Sequence, residues 1–353
     1  MNDSPLTQGM QIAALRGKQG TRTLYQVMVQ NAVLNNFFTI NMDPPSESSQ
    51  RQLEPKHATD ISEYMVENPE EYVLGALIYA VDQECIFTPS SISPDLGVLT
   101  IPFGTNMRCL DGQHRRKGLN EAIAKDEAFS RDYTAVLIYV EPEVQKRRQM
   151  FSDMNATPRV VAKALNVKFD SRDPFARAAQ QLVATHPLLI DTTETEAARV
   201  KNGTNKWYSL GAIFDGLKRL QVGAGGRVRV SSSFAEEAIA ARGHEFFDLL
   251  ESSRPEFTSL RSGISSDVMR SKSILLSSTT LRALAGAIYI RLEADGVSTP
   301  LSTYRNKLSE IDFAPTASIW TSIGFVSPGK STPNARNQEV IAASRAIAEA
   351  LKN

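Results

Sequence analysis

The sequence predicts an α/β fold for its first half, a mixed sheet with flanking helices, and a mainly helical second half. Three observations lead there. From Leu24 to Met150, short apolar runs of strand length alternate with stretches of helical spacing. One of those runs, Met107 to Leu110, turns at Asp111-Gly112 straight into a helix. Beyond Arg177 the strand-like runs stop and helical patterns follow. This change predicts an α/β core over residues 20–177 and a helical domain over 178–353.

Residues 1–20 carry little pattern. Leu24 to Ile40 is rich in Val, Leu and Phe with partial alternation, which predicts strands entering a sheet. Asp43-Pro44-Pro45-Ser46-Glu47-Ser48-Ser49 is a loop by composition. Arg51 to Val66 has helical spacing at Ile61, Tyr64 and Met65 and stops at Asn68-Pro69. Val73 to Val81 and Leu96 to Pro102 predict buried strands, as does Tyr133 to Val140. The helix after Gly112 runs through Glu121 to Ala124, so strand, helix and strand predict a βαβ-like unit. Its turn would stand at the carboxyl end of the first strand, where open α/β sheets place ligands. Glu141-Pro142 opens a helix through Met150-Phe151. Later helices are expected at Pro174–Ala184, Ser209–Leu220 with Ser209 as N-cap, Ser233–Leu250, Ser273–Glu293 and Asn337–Leu351. Gly223 to Arg229 reads as a flexible basic loop.

The length, 353 residues, allows two domains. Lys plus Arg equals Asp plus Glu at 39 each, which excludes a globally basic nucleic-acid coat protein but not a basic face. The charges are segregated. Acids dominate from Asn41 to Glu71, and cations dominate from Val144 to Arg177 and from Arg199 to Arg229. Two cysteines, Cys85 and Cys109, cannot form a disulfide framework, so a reduced cytoplasmic protein is expected. The longest apolar run, Leu74 to Val81, is too short to span a bilayer. No C-x-x-C or H-x-x-x-H pair joins Cys85, Cys109, His57 and His114, and no structural metal is expected.

The turn at Asp111-Gly112 is the principal candidate site. A strand that turns on glycine into a helix start presents orphan N–H groups and the positive end of the helix dipole. Here His114, Arg115, Arg116 and Lys117 add cations where the dipole disfavours them, a cost that an anion would relieve. Gly112 permits close approach, Arg115 offers a planar fork for phosphate, and Gln113 can place a water. His114 can donate to phosphate or act as acid or base, while Asp111 can orient a neighbour or hold Mg²⁺. Asp111 and His114 are thus the catalytic candidates, for slow ATP hydrolysis. The residues do not choose between a DNA phosphate and ATP, and Asp111 also has a plain reading as a turn residue.

The basic stretches are the second candidate. Arg147, Arg148, Arg159, Lys163, Lys168, Arg172 and Arg177 recur in one segment; Lys201, Lys206, Lys218, Arg219, Arg227 and Arg229 recur in another, around Trp207 and Tyr208. Together they would give salt-dependent DNA affinity; singly, each is more often a solvated helix face, and Trp207 is more often core. A third string, Gly324 to Ser331, fits the P-loop pattern G-x-x-x-x-G-K-[ST]. Its context argues against one, because Pro333 bars a helix opening at Lys330 and no sheet or Walker-B acid follows. Cys109 is expected to be a buried thiol with a raised pKa rather than a nucleophile.

Asp111-Gly112-Gln113-His114-Arg115 spells the motif that names the DGQHR-domain family, and the chain resembles its DndB-like members, which regulate DNA phosphorothioate modification systems. The orders Tyr64…Asn68-Pro69…Tyr72 and Phe151-Ser152-Asp153-Met154-Asn155 are similar to DndB-type sequences as well, and the likeness is strongest from Arg22 to Arg177. The resemblance implies a core related to ParB and sulfiredoxin-like folds, whose comparable Gly-x-x-Arg turn holds a phosphate. It implies a repressor-like regulator that binds its own promoter as double-stranded DNA and is modulated by ATP with Mg²⁺. Gly112, Gln113, His114 and Arg115 would hold phosphate. Arg116, Lys117, Arg147, Arg148, Arg159, Lys163, Arg172, Lys206, Arg227 and Arg229 would follow the duplex. Sulfiredoxin-like enzymes carry a cysteine where Gln113 stands here, which speaks against redox chemistry. Other phosphorothioate modification proteins and a second copy of the chain are the expected protein partners, since regulators of palindromic sites are often dimers; no membrane is expected. Two rival readings remain. A ParB-related nuclease or nucleotide-hydrolysing component would need acidic metal ligands beside Asp111. A protein–protein adaptor of the modification complex would keep any DNA affinity on charge reversal at Arg147 and Arg148.

Overall fold

Alternating burial begins at Gly9, and it builds a sheet earlier in the chain than the sequence pattern predicts. The computed structural model describes residues 9–38, 55–156, 161–223 and 234–352. They fall into two compact units, Met1–Arg159 and Val160–Asn353.

In the first unit, β1 (Gly9–Gln19) and β2 (Arg22–Gln30) form a hairpin with Ala14 opposite Val27, turning at Gly20 with φ 59°. β1 escapes sequence patterning because its outward face is apolar too: Leu15 is 52% exposed while Ala14 is buried, so no clean period of two emerges. The run expected to continue as strand to Ile40 changes to α1 (Asn31–Phe37). Asn31 is buried there, with Nδ2 donating to the Phe129 carbonyl at 2.9 Å and Oδ1 accepting from the Thr134 hydroxyl at 2.7 Å. These long-range bonds have no local signature. Ile40 and the loop from Asp43 to Ser49 lie outside the described residues.

The unit continues with α2 (Pro55–Glu67), β3 (Leu77–Val81), β4 (Ile86–Pro89), β5 (Leu96–Pro102), β6 (Met107–Asp111), α3 (Gln113–Lys125), β7 (Tyr133–Val140) and α4 (Val144–Ala156). Asn68 ends α2 as expected, its Nδ2 donating to the Tyr64 carbonyl at 2.8 Å. The seven strands lie in the order β4-β5-β1-β2-β7-β3-β6. β3 pairs parallel with β7 and antiparallel with β6. The sheet is therefore mixed, but the expected βαβ unit is corrected. β6 and β7 run in opposite directions with β3 between them, so β6 is an edge strand and α3 is not a parallel crossover.

One face of the sheet packs Val27, Val136 and Ile138 against Met65 of α2 and Leu119 and Ala122 of α3. The other face packs Ala80, Leu110 and Tyr139 against Met150, Phe151 and Met154 of α4. Helices α2 and α3 meet at Gly118, where an added Cβ would stand 2.7 Å from the Ile61 side chain and 2.8 Å from the Ala58 carbonyl oxygen.

The second unit holds α5 (Lys163–Phe169), α6 (Pro174–Thr185), α7 (Leu210–Val222), α8 (Glu236–Ser253), α9 (Pro255–Arg261), α10 (Ser266–Lys272), α11 (Ser278–Asp295), α12 (Arg305–Glu310), α13 (Ser318–Thr321) and α14 (Asn337–Ala350). A short parallel pairing of β8 (Thr193–Glu194) with β9 (Tyr208–Ser209) lies among them. Ser209 caps α7 as expected, accepting from the Ala212 N–H at 3.3 Å. The single helix expected from Ser273 is split. Ser273 caps a 3-10 turn at Ile274–Leu276, and Ser277 then caps α11 separately. Trp207 and Tyr208 belong to the core, with the Tyr208 hydroxyl donating to the Leu275 carbonyl at 2.9 Å. Among the described residues, no helix is long and apolar enough to cross a membrane.

Candidate anion site at the Asp111–Arg115 turn

β6 delivers Asp111 to the sheet edge, and Gly112 makes the turn with φ 96° as the N-cap of α3. Two facts require glycine there. The backbone is left-handed, and an added Cβ would stand 2.5 Å from a Leu77 methyl. The Arg116 N–H donates to the Gly112 carbonyl at 2.8 Å and opens the helix; glycine has no side chain to cap it, so the dipole end is left to other groups.

Arg115 folds back over this turn. Its Nη2 donates to Asp111 Oδ2 at 2.6 Å, and the two side chains are 27% and 48% exposed. The guanidinium lies across two glycines: an added Cβ at Gly75 would come within 2.5 Å of Nη1, and one at Gly112 within 3.2 Å of Nη2. Gly75, in the segment just before β3, is thus part of the site, and its isolated place in the sequence does not signal it. His57 is the other addition. From α2 its ring meets His114 edge to face, with centroids 4.9 Å apart. The α2–α3 packing at Gly118 sets that encounter, and no spacing in the sequence announces it.

The remaining motif residues divide by depth. Gln113 is buried beneath the turn. Arg116 is 3% exposed, its Nε donating to the Phe38 carbonyl at 2.9 Å and its Nη1 to Asn120 Oδ1 at 2.9 Å. An arginine so placed offers no guanidinium face to a duplex. Lys117 stays half-buried on the helix. Cys109, two residues before Asp111, is buried with its thiol donating to the Asp111 carbonyl at 3.2 Å, and burial pushes its pKa up to about 12. The expected unreactive thiol is what the fold provides.

The basic stretches are largely consumed inside their own units. Arg147 is 4% exposed and braces the entry to α4, its Nη1 donating to the carbonyls of Glu141 at 2.6 Å and Pro142 at 2.7 Å. It too is withdrawn from the surface. Arg148 and Arg172 are exposed. Lys163 pairs with Asp215 and lies over the Phe214 ring, Lys168 pairs with Glu196, Arg177 with Glu236, and Lys218 with Asp173. Lys206 Nζ donates to the Asp191 carbonyl at 2.9 Å. Arg159, Arg227 and Arg229 lie outside the described residues. The P-loop look-alike opens no helix at Lys330, whose N–H donates to the Ser327 carbonyl at 3.0 Å; α14 starts beyond it at Asn337.

An α/β unit with an Asp-Arg pair folded over a glycine turn, followed by a helical unit, is the class of protein that the fold defines. The chain matches the model of the DndB family, described as DNA-sulfur modification-associated, over residues 12–353, and it belongs to that family. The match runs through both units, so the helical half is as much part of the family pattern as the sheet. Searches of the curated proteins and of the solved structures each returned no match.

Proposed function

We propose that this chain is a DNA-binding regulator, of the transcriptional repressor type, in a DNA phosphorothioate modification system, and that its Asp111–Arg115 turn takes a phosphate. The observation that carries the reading is the Asp111–Arg115 pair itself, set over Gly112 at a helix start in a DndB-family chain. A partly exposed pair of this kind contributes about 0.2–1 kcal/mol, so it is cheap to open. A phosphate offers Arg115 a bidentate anionic partner and offers the helix start the anion that its dipole favours. Asp111 acts as a latch that holds the guanidinium ready and yields to a better acceptor.

Either source of phosphate suits these residues. A DNA backbone phosphate would be held by Arg115 and the backbone at Gly112 and Gln113, with His114 alongside. Were ATP the ligand, the same groups would hold its phosphate and the half-exposed Asp111 carboxylate would hold its Mg²⁺. Of the other cations expected to follow a duplex, Lys117 is half-buried and Arg148 exposed on the first unit and Arg172 is exposed on the second, where each would add salt-dependent affinity.

A fluorescence-anisotropy titration on a duplex from the chain's own upstream region tests this, run at several salt concentrations with and without Mg-ATP. Salt-sensitive binding that ATP weakens in wild type, with the ATP effect lost in Arg115→Ala, assigns the turn to ATP. Binding indifferent to ATP but lost in Arg115→Ala assigns it to DNA. No duplex binding at low salt would overturn the regulator.

A further inference from the structure

The P-loop look-alike forms no P-loop, yet its last residues reach a second place suited to an oxyanion. In the helical unit a cleft of about 190 Å³ is lined by Arg199, Arg270, Ser277, Ser278, Ser331 and Thr332, with Trp207 in its wall. None of the cleft's lining residues is acidic. It opens at the start of α11, an 18-residue helix whose cap is Ser277 and whose first residue is Ser278. Helix dipole, two guanidiniums and several hydroxyls therefore line one cleft, and of the carboxylates beside it, Asp267 faces Arg270 at 3.6 Å and Glu256 accepts from Ser273 at 3.1 Å.

The two arginines play different parts. Arg270 is fixed: its Nη1 donates to Ser266 Oγ at 3.0 Å, and its Nη2 to the carbonyls of Lys206 at 3.0 Å and Trp207 at 2.9 Å. Its nearest carboxylate, Asp267, stands at 3.6 Å and already accepts the Gly203 N–H at 2.6 Å. The charge of Arg270 is thus rigid and only partly compensated. Arg199 is exposed on the same cleft. One turn further along α11 sits Arg282, close enough to Arg219 that the two cations repel and, after burial, lower the pKa of Arg219.

We propose that this cleft is a second anion site, independent of the Asp111–Arg115 turn, and that it binds a phosphate group. Its volume is below the usual range of roughly 300–1,000 Å³ for organic-ligand pockets, so it fits a phosphate and little more. The ligand is inorganic phosphate, the phosphate end of a small ester, or one phosphate of a nucleic acid strand.

The test is calorimetric titration of the full chain with inorganic phosphate at constant ionic strength. Saturable binding is expected, weakened roughly ten-fold by Arg199→Ala and by Ser278→Asp. Ser278→Asp keeps the fold testable, because an acid in the first turn favours the helix while it repels the ligand. Its melting temperature should equal or exceed that of wild type. Binding that survives both cleft variants but disappears in Arg115→Ala would overturn the proposal, as would the absence of saturable binding. A duplex titration separates the sources. Affinity for DNA that falls in parallel in the cleft variants identifies a nucleic acid phosphate, and unchanged affinity identifies a small free one.

Discussion

Two regions of similar basic density meet opposite fates. At the turn of the α/β unit, His114, Arg115, Arg116 and Lys117 follow one another, and Arg115 is paired with Asp111 on the exposed side. In the helical unit, Lys163, Lys168, Arg177 and Lys218 each have a carboxylate of their own. The first arrangement stacks its cations at a helix start, where the dipole favours an anion; the second sets each charge against a carboxylate from elsewhere in the chain. A basic run in a sequence counts charges. The fold decides which remain in credit.

The largest expected effect lies on the buried side of the turn. Cys109 has its thiol pushed to about 12 by burial and Cys85 to about 11, against an ordinary value of 9.0. At pH 8 the thiolate of Cys109 should be populated on the order of a thousand-fold less than that of a free cysteine, and alkylation of the native protein should slow accordingly. Mass spectrometry after timed iodoacetamide treatment reads this directly. Fast labelling of Cys109 would mean that the turn is open from beneath, and the division between a buried and an exposed side would fail.

Next come two stability effects that separate neighbouring residues. Arg116→Ala removes a buried guanidinium and leaves the Phe38 carbonyl and Asn120 without its bonds. It should cost about 2–4 kcal/mol in urea unfolding. Gly112→Ala forces a Cβ onto a left-handed backbone and towards the Leu77 methyl 2.5 Å away. It should cost roughly 2 kcal/mol and weaken anion binding as well, because Arg115 loses the surface across which it lies.

How much of this was legible in the sequence depends on how local the cause is. The strands Leu96–Pro102 and Tyr133–Val140 and the cap at Ser209 follow from pattern and side-chain chemistry within a few residues, and the structure places them at those positions. The motif's strand, turn and helix were legible for the same reason. The strand order was not. β3 lies between β6 and β7, a pairing set by contacts far apart in sequence. The short helices α5, α9, α10, α12 and α13 were missed because each has seven residues or fewer, too few to display a helical period. At the site, nothing local distinguishes Arg115 from Arg116. One helical step turns the first toward Asp111 and the second into the core, and only the packing of α3 on the sheet decides which is which. Gly75 and His57 come from other elements and could be found only by folding.

The smallest stability effects carry the sharpest test of the contrast between the two regions. Arg115→Ala and Lys168→Ala each remove one partner of a partly exposed ion pair, with Asp111 and Glu196 respectively. Each should cost under about 1 kcal/mol, so the two variants should be nearly indistinguishable in a urea melt. Their binding should differ. Lys168 pairs with Glu196 away from any helix start, whereas Arg115 lies over Gly112 where the helix dipole favours an anion. Anisotropy titrations on the same duplex, with Mg-ATP as competitor, should leave Lys168→Ala at wild-type values and change Arg115→Ala in affinity, in ATP response, or in both. Equal behaviour of the two variants would mean that the turn is one more neutralised pair, and the distinction drawn between the regions would dissolve.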